Sequence, residues 1–250
     1  MAKESNYNPE LTKVLQGIVE GRGCREDLEK AFHLIMAGAD PNSQRRILIH
    51  VIYLGDFDLF KKFVTEAKCS INFEIDNHFK PIDYAMSSLC PKIVEWLLEN
   101  GCDANEIVSS GTHGKCKRLH LLSAYPIHSS VDAEKAIAIA KILINKGANI
   151  VEMDEKGWLP WRLAARNRPD GEFTNFLKEE TQKVWNQLNA EANENLKIAK
   201  ASETDLELMA ENKEIKRKLS EMEEKFKKME EQIEKLKNKE KKREQKEMLQ

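Results

Sequence analysis

Apolar side chains in the last fifth of this chain recur at steps that settle into alternating fours and threes: Leu208, Ile215, Leu219, Met222, Phe226, Met229, Ile233 and Leu236. With Leu219, Phe226 and Ile233 at heptad position a, the others fall at d, and Asn212 falls at a, where a buried asparagine sets register. The flanking pairs Glu211 and Lys216, Lys218 and Glu223, Lys225 and Glu230 are opposite in sign, which suits a parallel homodimer in register. The same residues also fit a solitary charged helix held by pairs one turn apart. No glycine or proline follows Gly171, so the spacing predicts long uninterrupted helix, with a coiled coil over about 205–240.

The first 180 residues have a different rhythm. Amphipathic runs "AFHLIMA", "LFKKFVTEA", "IVEWLLEN" and "IAKILINK" each lead into a similar short piece: "GADPN" at Gly38, "KCSIN" at Lys68, "GCDAN" at Gly101 and "GANIV" at Gly147. A helix that stops at a glycine in the left-handed conformation, then a turn, accounts for three of them; the Lys68 copy lacks the glycine and should cap less well. A second echo follows each: "ILIH", "KPID", "KRLH" and "LPWR". The intervals between the first echoes are 30, 33 and 46 residues, the long one carrying extra residues in its turn and between its helices.

This layout resembles the ankyrin repeat, a turn and two antiparallel helices in about 33 residues. "GANIVEMDEKGWLPWRLAA" matches the family pattern at Gly147, Ala148, Asp154, Gly157, Pro160, Ala164 and Ala165, whereas the family threonine is replaced by Ile47, Lys80, Lys117 and Leu159. The resemblance implies an all-α fold: a degenerate ankyrin-repeat solenoid of about five helix pairs over 1–180, with an insertion at 108–131, followed by a long helix over 181–250. Each pair buries its apolar face only by stacking on its neighbours.

Composition narrows the function classes. The formal charge of −2 gives no reason to expect nucleic acid, and residues 201–250 pair 14 Lys or Arg with 14 Asp or Glu and hold one aromatic residue, Phe226. Five scattered cysteines without a secretory leader point to reduced thiols and a cytoplasmic location, and no apolar run is long enough for membrane insertion.

The one constellation with chemical potential is "THGKCKRLH". His113, Cys116 and His120 are ligand types that zinc accepts, but their spacing fits no paired zinc signature. Lys115, Lys117 and Arg118 beside Cys116 predict a lowered thiol pKa, which keeps an enzyme or metal protein built on 108–131 as the rival reading. No phosphate loop, dinucleotide fingerprint or metalloprotease motif is present, and the reading favoured is a non-enzymatic interaction protein with no cofactor.

The resemblance places partner-binding residues in the turns: Arg45, Phe73, Asp76, Asn77, Phe79, Lys115, Lys117, Met153, Glu155 and Trp158. Trp161 takes the family leucine position and should face the core. Degenerate ankyrin repeats joined to such a tail also resemble effectors that intracellular bacteria deliver into the host cytosol by type IV secretion, whose terminal glutamate cluster resembles Glu221 to Glu234.

Overall fold

The computed structural model describes residues 8–17, 24–40, 42, 45–74, 79–110, 114–201 and 206–247. Asp76, Asn77 and His113 lie outside these residues, as does the side chain of Leu208. The described chain is mainly helical and forms two compact units, 1–163 and 164–250.

In the first unit, α1 (Asn8–Gly17) packs on α2 (Arg25–Met36), and the pairs α3 (Arg46–Leu54) with α4 (Phe57–Thr65), α5 (Pro81–Ser87) with α6 (Pro91–Glu99), and α7 (Arg118–Ala124) with α8 (Ser130–Asn145) follow. The first members α3, α5 and α7 touch in sequence, and so do the second members α4, α6 and α8, giving two rows of helices. Between the rows lie Ile47, Ile52, Phe60, Phe63, Ile82, Met86, Val94, Leu97 and Leu143, all fully buried. Each such side chain contributes about 1.5–3 kcal/mol by leaving water.

The starts of these helices are written locally. Asp56 accepts the Leu59 amide at 2.9 Å, Ser129 accepts that of Asp132 at 3.1 Å, and Pro81 and Pro91 occupy first-turn positions where no amide hydrogen is needed. The ends repeat. Gly38, Gly101 and Gly147 take φ of 115°, 99° and 87°, and the next residue donates back to Leu34, Leu97 and Leu143 respectively. Lys68 is forced into the same region at φ 56°, and the bond after it, from Cys69 to Phe63, spans one residue more. A side chain there costs about 1–2 kcal/mol. Lys68→Gly is therefore expected to raise unfolding free energy by about 0.5–1 kcal/mol after the added chain entropy of glycine is subtracted. Urea melts of the two proteins check this, and a destabilised variant contradicts it.

The turns that follow share a bonding pattern as well. The third residue of each echo, Asp40, Ser70, Asp103 and Asn149, accepts with its side-chain oxygen from the amide two residues on. Asn42 then accepts from the Ser70 amide at 2.9 Å, and Asn105 from the Asn149 amide at 3.1 Å, so the last residue of one turn holds the third residue of another.

The region expected as an insertion at 108–131 contains defined structure. β1 (Ile107–Ser110) and β2 (Gly114–Lys117) form an antiparallel hairpin with Val108 opposite Cys116, and α7 follows directly. This two-stranded sheet is the departure from an all-helical chain among the described residues. The helix α9 (Pro160–Asn167) spans the division between the units at 163 and 164, and its Trp161 is fully buried.

In the second unit the single long helix expected over 181–250 is instead two helices, α10 (Glu172–Ala201) and α11 (Leu206–Glu247), which pack antiparallel. Trp185 meets the Phe226 ring edge-on at 4.7 Å, Lys178 pairs with Glu230 at 2.9 Å and Lys237 with Asp170 at 2.5 Å. The seam expected to serve a parallel homodimer is largely occupied by the chain's own α10: Asn212, Leu219, Phe226 and Met229 are buried, Met222 and Ile233 half-buried, Ile215 and Leu236 exposed. The physical reason is that α10 carries its own stripe, Phe173, Leu177, Thr181, Trp185 and Ala192, tethered nearby at high effective concentration. No described helix is long and apolar enough to cross a membrane.

Candidate functional site

The first row of helices carries an aromatic stripe. Tyr53, in the last turn of α3, is 56% exposed and meets the Tyr84 ring of α5 edge-on at 6.1 Å. Phe79, just before α5, meets Tyr84 from its own chain segment at 6.2 Å, also edge-on. Tyr125 closes α7, half-buried, with its hydroxyl 3.5 Å from the Asp83 carbonyl; burial pushes its pKa up. Three successive first-row helices thus each place a tyrosine in one neighbourhood.

The same row is nearly without exposed charge. Of the charged residues of α3, α5 and α7, Asp83 and Arg118 are buried on each other and Arg46 alone is exposed, whereas α4, α6 and α8 expose Asp58, Glu95, Glu99 and Glu134 beside several lysines.

Beneath the stripe lies a buried ionic network. Arg118 is 0% exposed; its Nε donates to Asp83 Oδ1 at 3.0 Å, one terminal nitrogen to Glu106 Oε2 at 2.6 Å, and the other to the Asp103 carbonyl. Burial pushes the Asp83 carboxyl up, against the pull of Arg118 and the Lys80 amide. Glu106 also meets a burial penalty, but its bonds to Lys80 and Arg118 outweigh it and hold its pKa down. The network joins α5 and α7 to the turn between α6 and β1.

The residues expected to bind a partner are dispersed. Arg45 is exposed and lines a shallow cavity of about 530 Å³ with Lys80 and Glu74, whose floor includes Phe73. Phe73 itself is only 7% exposed, so it is core more than anchor. Phe79 belongs to the stripe. Lys115 and Glu155 are exposed, and the Lys115 amide donates to Glu155 at 2.9 Å, while Lys117 pairs with Glu152 at 2.6 Å. Met153 is half-buried, and so is Trp158, whose ring lies 4.7 Å from the Arg162 guanidinium carbon. The turn that carries Trp158 is held by Asp154, which accepts from the amides of Lys156 and Trp158.

The lowered pKa expected for Cys116 is reversed. Side chains alternate along β2, so Cys116 turns inward opposite Val108 while Lys115 and Lys117 turn away. Burial, with Asp154 next, pushes the thiol up to about 11, far from thiolate reactivity at neutral pH. His120 is buried too: its Nε2 lies 3.0 Å from the Glu152 carbonyl and 3.1 Å from that of Trp158, so this nitrogen carries the hydrogen. Among the described residues no three His, Cys, Asp or Glu side chains converge in a way that could hold a metal ion.

Burial lowers the pKa of His120, and burial followed by Arg46 lowers that of His50. The unfolded chain therefore takes up protons first, near the ordinary histidine pKa of about 6.5, and stability falls as pH drops below that value. Thermal melts between about pH 7.5 and 5.5 should show this slope, and His120→Gln should flatten it. An unchanged slope in the variant removes His120 from the account.

No family model matches the chain, and no curated protein matches it.

Sequence reasoning missed the tyrosines. Tyr53 lies three residues after His50, Tyr84 one after Asp83 and Tyr125 five after His120, so they hold unlike positions in the repeat and show no period.

Proposed function

We propose that this chain is a divergent ankyrin-repeat binding module, without catalysis of its own, whose first-row helices hold a segment of a partner protein. The observation that carries the reading is the stripe of Tyr53, Tyr84 and Phe79 on a row with almost no exposed charge. Interface cores are enriched in tyrosine and depleted in charge, because rigid aromatic rings bury large area with little entropy loss and leave no ion to desolvate. The family assignment is supported by the echoing turns, whose third residues bond alike and whose asparagines link one turn to another. The exposed turn residues Arg45, Lys115 and Glu155, with the half-buried Trp158 beside them, would form the rim.

The tail is read in the same proposal as an antiparallel coiled coil within one chain, supported by Trp185 on Phe226 and by the ion pairs that flank them. Delivery into a host cytosol belongs to the proposal too, resting on the pairing of degenerate repeats with the glutamate-rich segment from Glu221 to Glu234. A translocation reporter fused to the chain would enter host cells from a secretion-competent donor; entry from an isogenic strain lacking the apparatus rejects that part.

The binding reading is tested by affinity capture with the full chain and with Tyr53→Ser combined with Tyr84→Ser. Both positions tolerate serine because neither ring is fully buried. Proteins captured by the parent chain and lost from the variant are expected. An identical set from both places the binding surface elsewhere.

A further inference from the structure

We propose that a cationic cleft in the C-terminal unit takes an acidic, partly apolar peptide segment of a partner protein. The cleft, of about 820 Å³, lies between the start of the unit and the last turns of α11. Among the described residues Arg166, Lys239, Lys242 and Arg243 line it with one acid, Glu240, over an apolar floor that includes Leu236. Leu236 is 61% exposed, the most open large apolar side chain of this unit among the described residues. The pair between Lys237 and Asp170 fixes one wall to the other.

Converging cations and an exposed leucine mark the cleft off from ordinary solvated helix. Earlier in α11 Arg217 is answered within the helix by Glu214 at 2.7 Å and Glu221 at 2.5 Å, and Lys228 by Glu224 at 2.5 Å, while other lysines, such as Lys225 and Lys235, point separately into solvent. Lys239, Lys242 and Arg243 also have no ion-pair acid among the described residues, and what sets them apart is that they converge with Arg166 on one cleft. Their charge is thus left to an outside group, and its convergence over a concave surface strengthens the local potential. The exposed Leu236 lines the same cleft as these cations, where a solvated lysine-rich face would carry no leucine.

The occupant follows from that combination. A bilayer presents a plane of headgroups, which would meet the lysines but not fill the concave surface between them. A nucleic acid strand would want aromatic rings to stack on, and the lining has none. A peptide with carboxylates flanking apolar side chains matches both the charge and the floor, and the volume is that of a small-molecule or short-peptide site. The inference does not depend on the repeat reading, since every lining residue belongs to the C-terminal unit.

The test uses the full chain and a short fluorescein-labelled peptide of interspersed Glu and Leu, read by anisotropy, beside the same peptide with Lys for Glu, phosphatidylserine vesicles and a single-stranded oligonucleotide. The acidic peptide is expected to bind and the basic one not. Lys239→Glu combined with Lys242→Glu should weaken binding about tenfold, and Leu236→Ser about threefold, whereas Lys228→Glu, outside the cleft, should leave it unchanged. All of these positions are exposed, and circular dichroism verifies that helix content is kept. Raising salt from about 50 to 200 mM should weaken binding by the unaltered chain, a reading that needs no variant. Equal binding of the two peptides, equal loss from Lys228→Glu, insensitivity to salt, or stronger binding to vesicles or oligonucleotide each overturns the proposal.

Discussion

Arg118→Ala is expected to lower the stability of the N-terminal unit by about 3–5 kcal/mol. The substitution leaves Asp83, 1% exposed, without its guanidinium partner and strips the Asp103 carbonyl and Glu106 of a donor. A buried carboxylate without a cation must either stay ionised in a poor solvent or take up a proton, and both consume folding free energy. Urea denaturation measures the loss as a lower midpoint at unchanged slope. Arg118→Met combined with Asp83→Leu should recover most of it, because removing both charges abolishes the desolvation penalty with the attraction. A loss below about 1 kcal/mol for Arg118→Ala would mean that water reaches Asp83 and that the network does not tie α5 to α7.

Trp185→Ala should have a comparable effect on the C-terminal unit, about 3–5 kcal/mol, through lost area and the cavity left behind. Trp185 is 2% exposed, and its edge-on contact with Phe226 joins α10 to α11. The consequence is loss of helical ellipticity at a lower temperature. Leu236→Ala, at an exposed position of the same periodic pattern, should shift stability by no more than about 0.5 kcal/mol. That difference separates the antiparallel pair from a parallel homodimer, in which Leu236 and Phe226 would both be buried seam residues.

Those two residues also show what the sequence could and could not carry. The heptad spacing from Ile215 to Leu236 identifies an apolar seam, but spacing is silent on direction and on which helix covers it. The covering helix, α10, has its own stripe at four-residue steps from Phe173 to Trp185, interrupted by Thr181, which reads as a weak core helix when taken alone. In the N-terminal unit the helix pairs were legible because each end repeats a stop, a turn and a side-chain acceptor: Asp40, Ser70, Asp103 and Asn149 are different residues that perform one bond. The hairpin of 107–117 was not, since its alternation is only four residues long on each strand. Cys116 was misjudged for the same reason: neighbours in sequence lie on opposite faces of a strand. The aromatic stripe was illegible because it is assembled from unlike repeat positions, and only the side-by-side placement of α3, α5 and α7 brings it together.

The most direct measurement of the central claim is a site-specific photo-crosslink from the full chain to a captured partner. A photoreactive phenylalanine analogue placed at Tyr53 on the first row should crosslink, and the same group at Asp58, exposed on the second-row helix α4, should not. Crosslinks from Asp58 with none from Tyr53 would contradict the account, placing the partner on the opposite row and the aromatic stripe among the packing of the fold.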